Sequence, residues 1–516
     1  MITGKTYLRL AFVLMIVALT CGETATHRIS AQSPSDCVDP NAWGTYGHDA
    51  RRSFASNGCV WYPLVPAWSQ QYQPVAAAGR LMNTVERAIA DQDGIYLTWN
   101  SIAYHATGTG TPALDRVSNE GSRVWTADPL QLNDNLGNWP TLWTYEFPVE
   151  NPRETRQGVV RNDDGLRVWN KATGPRFYTN PPTDPRPDVT KESNDSWGES
   201  LVVGDILWVY NQRALHGPDL SLRAFDRRMN MVRVLNNYGW YDNPNHSRTF
   251  PQDQWDGAYD NRGTIASDNG YIYLGTSYTF ICNPNCQTSY PPPYKTGIYA
   301  FNTADGQQRW PMIETTLLSG ISVAGNRLYM LERDTTNLAM ARLLIRNAGY
   351  NGSVLFASAP FEYTTYTSWQ APVLAGGRVI VATSNASQTV LRSWSAIDGS
   401  SPLSNTFSNV TGVKVPAYYL NRLEDPGASY GSKVARITST IAAATGSKNG
   451  TTTVPTLIMT SDQGIHVVQV SNLQELWSHT KNDYGYTDGG RFRDPIVIGK
   501  RVYVVDNLRL YAFDAP

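Results

Sequence analysis

Apolar and polar positions alternate in short runs along most of this chain, and the runs come in pairs around a glycine. Residues Ala371–Ala382, Ile321–Met330 and Asp494–Val505 are three such pairs. A period of two is the mark of a strand with one face buried, and a glycine-centred turn between two such runs predicts a hairpin.

A second pattern follows each hairpin. A β-branched run leads to an aromatic–acid step and then to a Trp, most clearly in Gly297-Ile-Tyr-Ala-Phe-Asn-Thr-Ala-Asp-Gly-Gln-Gln-Arg-Trp310. Asp115, Asp226, Asn302, Asp398 and Asp514 mark clear copies, and weaker ones lie near Trp169, Leu344 and Val470. Repetition at this spacing means an array of similar units. The expected fold is all-β: a single β-propeller of eight four-stranded blades, or seven if the copy near Trp169 is not a blade. Its third strand ends at Asp514 without a Trp-bearing fourth, while Val65-Pro-Ala-Trp68 near the start reads as that missing outer strand. Pairing the two would close the ring and hide an edge.

Composition adjusts this reading in three ways. Charge is balanced, with 43 basic and 44 acidic residues, so a nucleic-acid partner is not expected. Lys5 and Arg9 followed by the apolar run Leu10–Cys21 read as a signal peptide over residues 1–31, cleaved between 22 and 31, with the propeller over 32–516. Ala18-Leu-Thr-Cys21 departs from a lipobox, so a released periplasmic or extracellular monomer is expected rather than one lipidated at Cys21. No later segment is apolar and long enough to span a bilayer. Removing the signal leaves Cys37, Cys59, Cys282 and Cys286. In an exported chain these read as two disulfides, Cys37–Cys59 and Cys282–Cys286. Zinc at the second pair lacks further ligands nearby.

Trp43-Gly-Thr-Tyr-Gly-His-Asp49 with Arg52-Ser53, together with the Ala-Phe-Asp/Asn…Asp-Gly…Trp copies, resembles the pyrroloquinoline-quinone-repeat propeller superfamily over about residues 41–516. That group includes quinoprotein alcohol dehydrogenases and a propeller lipoprotein of outer-membrane assembly. The resemblance implies that Trp125, Trp310 and Trp477 dock between neighbouring blades. It implies little about activity, because many members bind no quinone.

Candidate chemistry lies first at the residues leading into the first strands, where a propeller has its funnel. These are Glu86, Arg87, Trp197, Glu199, Asp260, Arg262, Trp369, Gln370, Arg436, Arg493 and Asp494. Arginine forks and indole faces suit a planar or carboxylated ligand. The competing reading is that these residues form ion pairs tying blades together. A second candidate is the aromatic and amide-rich insertion Asn236–Tyr259, with Trp240, Tyr241, His246, Trp255 and Tyr259 as a recognition surface. Asn133–Trp143 and Asn482–Tyr486 have the same character. Asp115, Asp226, Asp398 and Asp514 read as turn formers.

Catalytic signatures are poor. The histidines are scattered, and no haem-attachment motif, adjacent cysteine pair, nucleophile elbow or Walker loop occurs. Turns such as Asp91-Gln-Asp93-Gly94 have calcium-binding residue types without an EF-hand pattern. The leading expectation is an exported scaffold that binds a protein or glycan ligand. A dehydrogenase using pyrroloquinoline quinone and calcium is the alternative, and a polysaccharide-binding protein or lyase is the third reading.

Overall fold

The computed structural model describes Cys37 and residues 43–45, 47–71, 83–101, 113–127, 146–151, 156–161, 167–172, 195–213, 222–226, 231–235, 258–281, 297–337, 339–363, 370–384, 388–408, 440–461, 464–486, 492–506 and 509–516. Nearly all of them are strands, with one short 3-10 turn at Asn482–Tyr484. The chain is all-β.

Eight sheets are formed among the described residues. We number them by the position of their first strand. Sheet 1 begins at Asn83–Ala90, sheet 2 at Glu146–Asn151, sheet 3 at Asp195–Val203 and sheet 4 at Ala258–Asp268. Sheets 5 to 8 begin at Ser322–Ala324, Val373–Ala375, Ala442–Lys448 and Arg493–Ile498. Each is an antiparallel meander in which consecutive strands pair, and each holds one of the eight sequence markers or lies against it. Sheet 2 shows three strands, Glu146–Asn151, Arg156–Arg161 and Arg167–Ala172, with Trp169 in the third.

The predicted hairpins form where the glycines lie. Gly325 and Asn326 both adopt positive φ (56° and 60°), as do Gly376 and Gly377 (55° and 72°). This is the backbone of a tight hairpin whose twist matches that of the flanking strands. The strands after such glycine turns bury both faces, unlike the one-faced burial that alternation predicts: Val379 and Ile380 are consecutive and buried, as are Val502 to Val505.

The outer strand of sheet 8 is Val65–Gln71, which pairs antiparallel with Arg509–Asp514. Its Trp68 lies where the other sheets carry Trp125, Trp310 and Trp477. The strand Ala55–Tyr62 has a different place: it runs parallel to the first strand of sheet 7, on that sheet's inner side.

Immediately before it lies the element around which the sheets converge. The Ala50 carbonyl accepts from Ser267 N in sheet 4, Arg51 from Val323 in sheet 5, Ser53 from Leu374 in sheet 6 and Phe54 from Ala443 in sheet 7. Trp43 exchanges two backbone bonds with Ala90 of sheet 1, and Ser56 Oγ donates to Val497 O of sheet 8. Arg52 is 1% exposed; its guanidinium donates to Ile265 O, Ser200 O and Thr45 Oγ1, which adds sheet 3. One short peptide thus reaches the first strands of seven sheets. Three non-glycine residues in it, His48, Arg52 and Phe54, hold positive φ (78°, 56° and 55°), a strained backbone sustained by these bonds.

The sheets meet each other through a repeated seam. Polar side chains of one sheet donate to backbone carbonyls at the turn between third and fourth strands of the next. Trp310 Nε1 and Tyr273 OH both reach Ala348 O, Arg233 reaches Thr303 O, Asn405 reaches Leu473 O, and Tyr329 OH reaches Ala396 O. The docking expected of Trp310 is present, and it is 4% exposed. Trp125 is buried against Tyr96 of its own sheet, while Trp477 is only partly buried.

The turn-forming role expected of the marker acids holds at some positions only. Asp398 accepts from Ser400 N, and Asn302 from Ala304 N. Asp115 instead accepts from Thr126 Oγ1 and pairs with Arg123, and Asp514 takes a two-pronged bond from Arg501. Cys37 and Cys59 form the expected disulfide. Cys282 and Cys286 lie outside the described residues.

Candidate functional site

The first strands begin at one end of the sheets, and the predicted funnel residues are found there. Arg87, Trp197, Glu199 and Arg262 lie within first strands rather than ahead of them, as does Tyr259, and the description of these five extends to the backbone only. Trp369, Arg436, Trp240, Tyr241, His246 and Trp255 lie outside the described residues. Gln370, Arg493 and Asp494 are described in full, and they carry the argument.

Gln370 and Asp494 join neighbouring sheets, and Arg493 bonds within its own sheet 8. Both ends of the Gln370 amide bond the backbone of Ile441: Oε1 accepts from its N–H at 2.8 Å and Nε2 donates to its carbonyl at 2.7 Å. Asp494 Oδ1 accepts from Thr440 N at 3.1 Å. Arg493 donates to Asp506 O at 3.3 Å and lies 3.9 Å from the Asp494 carboxylate. Thr264 Oγ1 accepts from Ile321 N, and Ser322 Oγ donates to Pro372 O. The result is a polar girdle that runs without a break from sheet 4 through sheets 5, 6 and 7 to sheet 8. Arg493 and Asp494 are 3% and 8% exposed. The tie between blades, one of two readings of these residues, describes Gln370 and Asp494 but not the bond of Arg493 to Asp506 O.

The turns between second and third strands of sheets 6, 7 and 8 carry a second repeated device. A polar residue at the end of the second strand bonds the residue five positions on. Ser384 bonds Thr389 at 2.8 Å, Ser461 bonds His466 at 2.8 Å, and Tyr511 donates to Asp506 at 2.6 Å. The sequence held this signal as a polar pair spaced by five across a turn, but without the register its meaning was hidden.

One of these clasps has the connectivity of a nucleophilic triad. Ser461 Oγ lies 2.8 Å from His466 Nε2, and His466 Nδ1 lies 2.7 Å from Glu475 Oε2. Ser478 Oγ donates to the other Glu475 oxygen, and the His466 bond holds the Glu475 carboxyl below the usual range. Geometry alone admits a Ser–His–Glu reading. Two observations oppose it. Ser461 is 1% exposed, so no acyl group can reach its oxygen, and the same position is a clasp in sheets 6 and 8. The arrangement satisfies buried polar groups.

The neighbouring clasp is ionic. Asp506 is fully buried, and Lys481 Nζ sits 2.6 Å from its Oδ2. The ammonium also lies 5.2 Å from the Phe492 ring and 5.6 Å from that of Tyr511, so its charge is balanced on several sides.

Pyrroloquinoline quinone is a planar tricarboxylate, and in a calcium-dependent site it needs cationic forks together with carboxylates converging on the ion. The three mouth residues seen here do not fit it: Gln370 and Asp494 Oδ1 bond the neighbouring sheet, and the buried Arg493 bonds Asp506 O. Among the described residues no three His, Cys, Asp or Glu side chains are grouped as metal ligands. At Asp91-Gln-Asp93-Gly94, Asp91 accepts from Asp93 N and Gly94 N, and from Tyr96 OH at 2.5 Å, so this turn is closed on itself.

Comparison with solved structures decides the fold. A europium-containing methanol dehydrogenase superposes with a TM-score of 0.51 at 13% identity, covering 93% of this chain and 99% of that one. A quinohemoprotein alcohol dehydrogenase from Pseudomonas putida HK5 gives 0.53 at 14% identity, covering 92% and 80%. This chain has the quinoprotein-dehydrogenase propeller fold. No family profile and no curated protein matches the sequence. At such identities the likeness is one of propeller architecture, and the activities of these two enzymes do not travel with it.

Proposed function

We propose that this propeller is an exported binding scaffold, eight-bladed and closed into a ring by its N-terminal outer strand, that does not carry out quinone redox chemistry. The observation that carries this reading is the girdle. The mouth residues Gln370 and Asp494 hold neighbouring sheets together, and the buried Arg493 bonds Asp506 O within its own sheet, where a quinone site needs them turned to the ligand.

Eight sheets and the pairing of Val65–Gln71 with Arg509–Asp514 support the ring. So does the seam from sheet 8 to sheet 1, in which Trp68 Nε1 and Tyr503 OH both bond Asn119. The Cys37–Cys59 bridge supports an oxidising compartment, and hence the periplasm or the outside of the cell. A ring of sheets suits recognition of a protein or glycan at its ends.

A thermal melt of the signal-free protein tests this, with and without pyrroloquinoline quinone plus calcium. No saturable shift is expected, since a ligand that binds only the folded state raises the midpoint with concentration. A saturable upward shift, with dye reduction in the presence of an alcohol, would overturn the reading in favour of a dehydrogenase.

A further inference from the structure

The fourth-strand tryptophans do not all end in the same surroundings. Trp310 is 4% exposed, and its indole N–H meets Ala348 O at the third-to-fourth-strand turn of the next sheet. Trp68 meets Asn119 O at the equivalent turn, at 2.8 Å. Trp477 of sheet 7 faces sheet 8, whose third strand, Arg509–Asp514, is not joined by a turn to its fourth, because that strand is Val65–Gln71. Trp477 therefore lacks the covering turn that its counterparts have. It is only partly buried, and among the described residues its indole N–H has no hydrogen bond.

In place of that covering, the ring of His479 lies beside it. The two planes are 7° apart and the centroids 5.6 Å apart, as two side chains on one face of a strand allow. The His479 side chain is 37% exposed, and its nearest charged neighbour is the Asp483 carboxylate at 4.0 Å. Tyr484 meets the His479 ring at 4.4 Å and is itself anchored through its hydroxyl to Leu64 O. Asn482 and Asp483 stand exposed at the rim.

We propose that Trp477 and His479, with Asn482 and Asp483 at their edge, form a binding site for a neutral polysaccharide. The inference rests on the scaffold reading and names its ligand class. A pyranose ring presents an apolar C–H face bordered by hydroxyls. The exposed part of the Trp477 indole receives that face, with His479 stacked behind it and the amide of Asn482 and carboxylate of Asp483 at the rim to meet hydroxyls. The carboxylates of Asp483 and Glu475 lie close to the rings in the chain and disfavour a uronate, so the sugar is uncharged. The partly buried tyrosine behind His479 fixes the platform in advance, which lowers the entropic cost of binding.

Native gels cast with hydroxyethyl cellulose, a soluble β-1,3-glucan or dextran test it, with polygalacturonate as the acidic comparison. At least one neutral polymer is expected to retard the protein. Trp477→Ala should weaken that retardation roughly tenfold, a loss of the size expected for one stacking contact. His479→Ala should weaken it less, and carries the test alone if Trp477→Ala melts early. Tyr350→Ala, which removes a ring 74% exposed elsewhere, should change nothing. Retardation by none of the three neutral polymers, by polygalacturonate alone, or undiminished in both ring variants would overturn the site. A quinone-dependent melting shift would overturn the scaffold reading instead and leave the gel result to stand by itself.

Discussion

The indole N–H of Trp68 donates to the backbone carbonyl of Asn119 at 2.8 Å, joining the outer strand of sheet 8 to sheet 1. The same indole lies 5.9 Å from the Tyr503 ring, and Tyr503 OH bonds the Asn119 side chain at 3.0 Å. Beside them Arg501 pairs with Asp514 and reaches Asn119 O. This seam has the same parts as the one between sheets 4 and 5, although its two sides are far apart in the chain.

Gly121 limits what this seam can accommodate. It has φ +87°, and an added Cβ would come within 2.5 Å of the Trp68 ring. Gly121→Ala is expected to destabilise by about 1–3 kcal/mol through strain and overlap, and Trp68→Ala by about 3 kcal/mol through lost packing. Because both act on one contact, the double variant should lose less than the sum. Urea midpoints measure this, and strict additivity would show that the two residues do not share a seam.

Arg52 is the buried charge on which the convergent peptide depends. Removing its guanidinium strands the Ile265 and Ser200 carbonyls and Thr45 Oγ1. Arg52→Ala should cost on the order of 3 kcal/mol, and Arg52→Lys should recover little, because one ammonium cannot reach three directions as a planar fork does. A lysine variant with a wild-type melting temperature would show that charge, not fork geometry, is what the site needs.

The Cys37–Cys59 bridge anchors the chain just ahead of that peptide, where Cys59 N also bonds Gly499 O. Reduction should lower stability by on the order of 3 kcal/mol, the loop-closure contribution of a bridge of this span. An unchanged melting temperature in reductant, after thiol titration has shown the bridge open, would refute this.

Glu475 and Asp49 are two of the carboxyls that set the acid limb of stability, alongside Asp334, Asp398 and Asp483, which are also held low. The His466 hydrogen bond holds Glu475 low. Burial raises the Asp49 carboxyl, but the His48 imidazole 3.8 Å away and two bonds from Ser53 outweigh it and hold it below the usual range. In the unfolded chain both take up protons near pH 4, before the folded protein does. Stability is therefore full above that pH and falls as pH drops through the lower folded values. Urea midpoints between about pH 7 and pH 3 should show this decline, and Glu475→Gln should flatten part of it. An identical slope in the variant would remove Glu475 from the account.

The repeating architecture was legible because it is written locally. Alternation around Gly325, Gly376 and Gly499 needs only a dozen residues to declare a hairpin, and the aromatic–acid step recurs in each unit. The outer-strand role of Val65–Gln71 could also be inferred, since one unit lacked a fourth strand and a spare one lay near the start. The girdle was not legible. Gln370 bonds Ile441 and Thr440 bonds Asp494, and nothing in either neighbourhood names its partner. The polar residues at the mouth therefore looked equally like ligands and like ties. Arg52 was hidden for the same reason: its partners lie in sheets 3 and 4, and an arginine between polar residues looks like a surface side chain.

The convergent peptide from Trp43 to Ser56 also sets an order of events during synthesis. It leaves the ribosome before any of the sheets, yet its bonds extend to Ala443 and Val497, made about four hundred residues later. Until sheet 8 has emerged, the strained turn at His48, Arg52 and Phe54 has only part of the support that holds it. A topology dominated by such distant pairings folds slowly and exposes unpaired edges while it waits. For this protein the element on which seven sheets converge is made before them and completed after them.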